Sequence, residues 1–557
     1  MSHRFRIMLV CALAASACGG TSPAPSQAPP TARAVAKTTS YDALVKVYQD
    51  LRASQQPTVT DGVPDYRVAA VQARRQRLDE LGTALDGVDS SGWPISQKVD
   101  HLLALALWRD YDFQHRVMRA WARDPGFYTS QVESVPLTQF PVIGEELTRL
   151  EIRLAAVPRL LDQARANLTE GASEQTLYTI RGLEQADGVG HGYPYRATPP
   201  AGTIGWFDDM IAQAREKQAA LVPAIERARA ATVAFRDWLK ENRPKMNGKW
   251  GVGMDNYTYY QRYVRLMPYD ARMNLELADR ELERGRAFLA IERWKNRKLP
   301  PLEPSLTAAE YERRKLDADA QIRRFIREQD LLTIPEYIKE LDTNVPWIVR
   351  PGGPNFWEAV QFRDPRPDHV HAVIPGHRFD GIVRSKNTHP VRGTYSDGGR
   401  SEGWAFYLEE MFLQAGLLDR RPRTKELFYL FQVKRASRNK AEVLMHDNQY
   451  TVADAVKWMR SNVQFLDEDV ARVDAEIYLR RLSYGSGYQM GKLQMDQLLS
   501  DRSHQLKDAF NLREFHDEFL SNGTIPISLI RYEMAGFDDQ IRDFWARVPA
   551  PPSAPPR

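Results

Sequence analysis

Residues 369–410 read HVHAVIPGHRFDGIVRSKNTHPVRGTYSDGGRSEGWAFYLEE. The chain has 11 histidines, and four of them fall here: His369, His371, His377 and His389. A carboxylate, Glu402, follows at what reads as a helix start. Neutral imidazoles with one carboxylate form a donor set that suits zinc. A common zinc helix places its two histidines four residues apart on one face. His371 and His377 are six apart, which is about 240° of rotation, so one continuous helix does not aim both at one ion. Pro375 offers a way out. Proline suits the first turn of a helix, and the residue before it is biased towards an extended backbone. The spacing therefore predicts a helix starting near Pro375–Gly376. His377 falls in its first turn, and His371 lies on the segment entering it.

Ser401 reads as the N-cap of the next helix, with Glu402 in its first turn and Gly416 as its stop. A first-turn acid is also favoured by the helix dipole alone, so Glu402 has a structural reading beside the metal one.

Outward from this stretch the chain reads as helical. Tyr41–Leu51 carries apolar residues at helical spacing. Val99–Ala122, Pro141–Leu168 and Gly205–Asn242 are long and amphipathic, and Pro158 and Pro223 are expected to kink or split two of them. Pro268–Asn296 continues the pattern. Thr307 with Glu310 predicts a capped helix running to about Gln329. Ile334–Thr343 reads as a short helix, and Trp347–Phe362 as a loop or short strand. Lys245–Tyr260, KMNGKWGVGMDNYTYY, has two readings: the edge of a substrate cleft, or a turn with core aromatics. Its glycine spacing fits no dinucleotide or P-loop fingerprint, so no nucleotide is implied. No window shows the regular strand spacing of a sandwich or barrel. The expectation is a mainly α fold with few short strands, one large helical domain over residues 40–550 and the site region at 369–492.

Hydrophobic residues make up 43% and charged residues 27%, as in an ordinary globular protein. The charge of +4 comes from 76 basic and 72 acidic residues, which gives no case for nucleic-acid binding. The N-terminus reads as an export signal over residues 1–17. Arg4 and Arg6 form its basic region, Ile7–Ala15 its apolar core, and Ser16-Ala17 the small residues before Cys18. Ala-Ala-Ser-Ala-Cys is similar to a bacterial lipobox. Lipidation of Cys18 would anchor the chain to a membrane, facing an extracytoplasmic space, with the Pro/Ser/Ala-rich residues 18–39 as a flexible tether. Residues 551–557 form a Pro-rich tail. The only two cysteines are Cys11 and Cys18, so the body has no thiol and any metal site must use His, Asp or Glu.

The run His371-Ala-Val-Ile-Pro-Gly-His377, followed by Glu402-Gly-Trp-Ala-Phe-Tyr-Leu-Glu409, resembles the DUF885 family, a set of metallopeptidase-like bacterial proteins. That family shows His-Glu-Ala-x-Pro-Gly-His and then Glu-Gly-Trp-Ala-x-Tyr-x-Glu. Weaker matches follow in order at Lys434–Thr451, Glu476–Lys492 and Phe515–Pro526. The resemblance implies a large helical, zinc-peptidase-like fold with a deep cleft. It implies His371, His377 and Glu402 as ligands of one zinc ion, and a peptide as substrate or ligand. In such chemistry the metal polarises the scissile carbonyl and a carboxylate takes the proton. Tyr484 or Tyr488 would donate to the developing oxyanion, or else be core aromatics. His446 would do the same, orient a ligand, or be a structural histidine. Ala372 stands where the family has glutamate, and a methyl group accepts no proton. The candidates for the missing base are Asp380, Glu409 and Glu410, with Glu409 also placed to orient a ligand. The alternative is an inactive peptide-binding or scaffold lipoprotein of the same fold. His369 reads as a solvated loop residue, whereas His389 could approach the cleft. Arg384, Arg392 and Arg400 read as solvated charges or as binders of a substrate carboxylate.

Overall fold

The computed structural model describes residues 37–190, 194–341 and 345–545. The expected signal peptide, Cys18, most of the tether and the Pro-rich tail lie outside these residues. Helices form nearly all the regular structure. The strands among the described residues are Val59–Thr60 and Val63–Pro64, paired antiparallel. The mainly helical expectation holds. No described helix is long and apolar enough to cross a membrane.

The first helix, Tyr41–Ser54, shows why. Ser40 accepts a hydrogen bond from the Ala43 N–H at 3.3 Å and so caps the helix. Leu44, Tyr48 and Leu51 recur at helical spacing and are buried. They join Val68–Asp86 and Ile95–Phe113 in an apolar cluster that reaches Trp404 and Phe519 near the other end of the chain. The end of the expected tether is pinned here: the Thr38 N–H donates to Gly87 O, and the Asp89 N–H to Thr38 O. A second cluster is built from Gly144–Asn167, Gly202–Lys217 and Val222–Asn242. A third joins Phe356 and Val360 to the helices Pro422–His446, Val452–Asn462 and Glu468–Arg480.

Several local expectations need correction. Pro158 sits inside the uninterrupted helix Gly144–Asn167, where the buried neighbours Leu154, Val157 and Leu161 hold the turn despite the lost N–H. Pro223 behaves as expected and opens a new helix at Val222. Val99–Ala122 is broken at Arg119, whose backbone is left-handed at φ 47°. Residues 334–341 form no helix, and the buried side chain of Ile338 anchors them instead. Residues 356–361 are helical rather than extended. Asn355 caps that helix, and Glu358 returns to the Asn355 N–H. Lys245–Tyr260 follows the packing reading. Tyr257, Tyr259 and Tyr260 are buried, and Gly251 passes so close that a Cβ there would lie 2.3 Å from His446 O.

Candidate metal centre

Four segments bring the site together. The short helix Arg366–Ala372 carries His371 in its last turn. The helix His377–Ser385 begins at His377 with Gly376 as N-cap, as Pro375 suggested. Gly376 has no alternative, because a Cβ there would sit 1.7 Å from His371 O. Trp404 Nε1 donates to Pro375 O at 3.0 Å and fixes the loop between the two histidines.

The third segment, Gly398–Gln414, starts earlier than expected. Its N-cap is Asp397, which accepts from the Arg400 N–H, so Glu402 lies beyond the first turn and Ser401 is an internal residue. This removes the simple dipole account of Glu402. Gly416 ends the helix region with φ 98°, as expected.

The fourth, Tyr484–Leu506, packs against Gly398–Gln414 backbone to backbone. A Cβ at Gly491 would lie 2.2 Å from Gly399 O, and one at Gly403 would lie 2.6 Å from Gly491 Cα. Glycines four apart on both helices make that approach possible, and it carries the phenol of Tyr484 to Glu402. The start of Tyr484–Leu506 has no side-chain cap of its own. Glu442, fully buried on Pro422–His446, accepts the Ser486 N–H at 2.6 Å and does that work from a neighbouring helix. Burial pushes its carboxyl up to about 8 against the pull of these donors. The sequence reading missed Glu442, since a mid-helix glutamate carries no signal of its own.

The donor atoms form a tight triangle. His377 Nε2 lies 3.2 Å from His371 Nε2 and 3.2 Å from Glu402 Oε2, and His371 Nε2 lies 3.6 Å from Glu402 Oε2. Tetrahedral zinc with ligands near 2.0–2.1 Å needs donor–donor edges of about 3.3 Å. The residues therefore fit such an ion without rearrangement. They are also the one group of its kind found among the described residues. Burial disfavours charge on His377, but the Glu402 carboxylate outweighs it and raises the imidazole. Burial acts against Glu402 ionisation too, yet the His377 and His371 rings hold its carboxyl well below the usual range.

Behind the triangle, His371 Nδ1 lies 2.8 Å from Glu409 Oε1, at ion-pair distance though off the ideal hydrogen-bond direction. Arg435 donates to the same carboxylate oxygen. Such a carboxylate–imidazole pair fixes the ring and its tautomer. Tyr484 donates to Glu402 Oε1 at 2.7 Å. Tyr488 lies nearly parallel to the His371 ring at 6.2 Å. The phenol of Tyr484 is raised first by Tyr488 and then by burial, and that of Tyr488 by burial, so both remain hydrogen-bond donors.

His371, His377, Glu402, Tyr484 and Tyr488 line a cleft of about 330 Å³, together with Ala372, Trp357, Arg378, Arg435 and Arg438, whereas Glu409 lies behind it. The other site candidates fall elsewhere. His446 is buried, pairs through Nε2 with Tyr478 O at 3.0 Å, and does not line the cleft. His369 is buried rather than solvated and lies 3.0 Å from Asp319 Oδ1. His389 stands beside Tyr41 and Asp100, away from the cleft. Arg400 is fully buried against Asp380, and Arg392 is buried between Asp100 and Glu533. Both are structural rather than solvated, because each neutralises a buried or half-buried acid. Arg384 reaches Ser396 Oγ. Glu410 is held by Arg284 and Lys492.

A mainly helical chain with two imidazoles and a carboxylate converging on the wall of a cleft defines a helical protein with a metal-site-like centre. The chain belongs to DUF885, a family of bacterial proteins of unknown function, whose model matches residues 50–345 and 369–534. Two solved structures share the fold. One is a candidate lipoprotein of unknown function from Shewanella oneidensis, at 16% identity and a TM-score of 0.68, covering 89% of this chain and 100% of that one. The other is a candidate lipoprotein from Colwellia psychrerythraea, at 15% identity and 0.63, covering 88% and 97%. No curated protein matches the chain.

Proposed function

We propose that this protein is a metal-dependent peptidase, held at a membrane through a lipidated Cys18 and facing an extracytoplasmic space. The observation that carries the reading is the donor triangle of His371, His377 and Glu402, at zinc-ligand spacing on the wall of a cleft. Zinc held there supplies Lewis acidity to a carbonyl and lowers the pKa of water. The chain's own residues do the rest. Glu409, backed by Arg435, orients His371. Tyr484 donates its hydroxyl proton to the second oxygen of Glu402, and Tyr488 offers its own to an oxyanion forming in the cleft. The lipoprotein part rests on the Ser16-Ala17-Cys18 stretch and on the description of both structural relatives. In that arrangement residues 1–17 are removed, 18–39 act as a tether, and the helical body follows as one unit.

The test is hydrolysis of a mixed peptide pool by the mature protein loaded with zinc. The His377→Ala variant is expected to lose at least about 100-fold in kcat/KM, because the triangle opens at the atom shared by its two shortest edges. Undiminished hydrolysis by that variant would sink the assignment. One observation favours a second reading, a peptide-binding lipoprotein without turnover: Ala372, beside His371, faces the cleft with a methyl group. Peptide binding by the zinc-loaded protein without cleavage would select it.

A further inference from the structure

A second cavity, of about 270 Å³, adjoins the cleft that holds the donor triangle. Val473 and Ile477, one turn apart on Glu468–Arg480 and both half-buried, line the two spaces alike. Among the described residues, six arginines line this second cavity against three acids, so arginine sets its character. Four of the six have a carboxylate of their own: Arg196 pairs with Asp209, Arg350 with Glu358, Arg472 with Asp469 and Arg480 with Asp124. The three acids are Glu133, Asp187 and Glu476. Glu476 reaches Arg472 at 3.5 Å, and Asp187 accepts the Val189 and Gly190 N–H groups. Burial pushes the carboxyls of Glu133 and Glu476 up, towards their neutral forms.

Two arginines are not matched in this way. Arg181 lies 3.9 Å from Asp469, an acid that Arg472 already holds at 2.6 Å. Its Nε is buried without a hydrogen-bond partner, and burial, then the Arg472 cation, push its guanidinium down. Arg481 is exposed at the end of Glu468–Arg480, and its side chain makes no hydrogen bond or ion pair among the described residues. Its guanidinium carbon stands 5.9 Å from the centre of the Tyr484 ring, and the Tyr484 hydroxyl donates to Glu402 at 2.7 Å. One phenol therefore separates Arg481 from the donor triangle. A guanidinium beside an aromatic face, held by no acid, presents a planar fork that matches a carboxylate. At about 3.3–3.6 Å per extended residue, a peptide with its scissile carbonyl at the triangle brings a group roughly two to four positions away to Arg481.

We propose that this second cavity is a subsite for a carboxylate of the substrate peptide, side-chain or C-terminal, bound by Arg481 with Arg181 beside it; the assignment rests on the peptidase reading above. Arg384, Arg392 and Arg400, the sequence candidates for that role, line neither cavity. Arg481 selects by charge, and the half-buried Val473 and Ile477 carry the intervening peptide between the two spaces.

The test uses the mature protein as wild type, Arg481→Gln and Arg481→Glu. The probes are hexapeptides of alanine and leucine, blocked at both ends, with one Glu, Gln or Lys at each position in turn, and the Gln set again with a free C-terminus. Cleavage is followed with zinc loaded, and binding by calorimetry before zinc is added, where no turnover occurs. The wild type is expected to favour carboxylate-bearing peptides over neutral ones at least about tenfold in kcat/KM and in Kd. Arg481→Gln should cut that ratio to about twofold or less, and Arg481→Glu should favour the Lys peptides, an inversion that a merely structural arginine would not give. Preference for the Glu peptides, for the free C-terminus or for both supports the subsite and tells which carboxylate fills it. No charge preference in the wild type, or the same preference in Arg481→Gln, overturns it. A wild type that binds carboxylate peptides with this preference yet cleaves none overturns the peptidase reading and leaves the role of Arg481 standing.

Discussion

Gly491→Ala is expected to destabilise the protein by about 3 kcal/mol or more and to weaken zinc binding by at least tenfold. The added methyl would meet Gly399 O at 2.2 Å and Gly403 Cα at 2.7 Å. Both obstacles are backbone, so no side chain can rotate away. Overpacking of this kind typically costs about 1–3 kcal/mol, and more where nothing yields. The two helices must part, and the Tyr484–Glu402 contact at 2.7 Å lies along the seam. Chemical denaturation and zinc titration measure the two effects on one sample. A stable Gly491→Ala protein with unchanged zinc affinity would show that this close approach does not position the site.

Arg435→Met should be comparably costly, on the order of 3–5 kcal/mol, because it strands a charge. Arg435 is buried, and Glu409 beneath it has no exposed side-chain surface. Removing one partner of such a pair leaves the other uncompensated in a poor dielectric. Glu409 also stands 2.8 Å from His371 Nδ1, so zinc affinity should fall by about 10–100-fold in the same variant. Adding Glu409→Gln should return much of the stability, since the stranded charge is gone, but not the affinity. Equal stability of the single and double variants would contradict the buried-charge account.

The fold class and the grouping of His371, His377 and Glu402 were both legible in the sequence. His371, Pro375, Gly376 and His377 are neighbours, and their backbone demands can be reasoned without the rest of the chain. The start of Gly398–Gln414 was misplaced because Gly398 and Gly399 argue against a helix by propensity. Tertiary packing against Gly487 and Gly491 wins there, and Asp397 takes the cap. His369 reads as solvated, and Arg392 as a solvated charge or a carboxylate binder, because their partners are remote: Asp319 lies 50 residues from His369, and Asp100 lies 292 from Arg392. Pairing across such separations leaves no mark on local composition. Glu442 escaped notice for the same reason, as it acts on a different element from its own.

The most direct test of the metal centre is anomalous diffraction at the zinc edge from crystals of the zinc-loaded protein, with His377→Ala crystals as control. A single peak within about 2.0–2.2 Å of His371 Nε2, His377 Nε2 and Glu402 Oε2, absent from the variant, is the expected result. A wild-type map with no peak between these atoms, or with its strongest peak at another set of ligands, would contradict it.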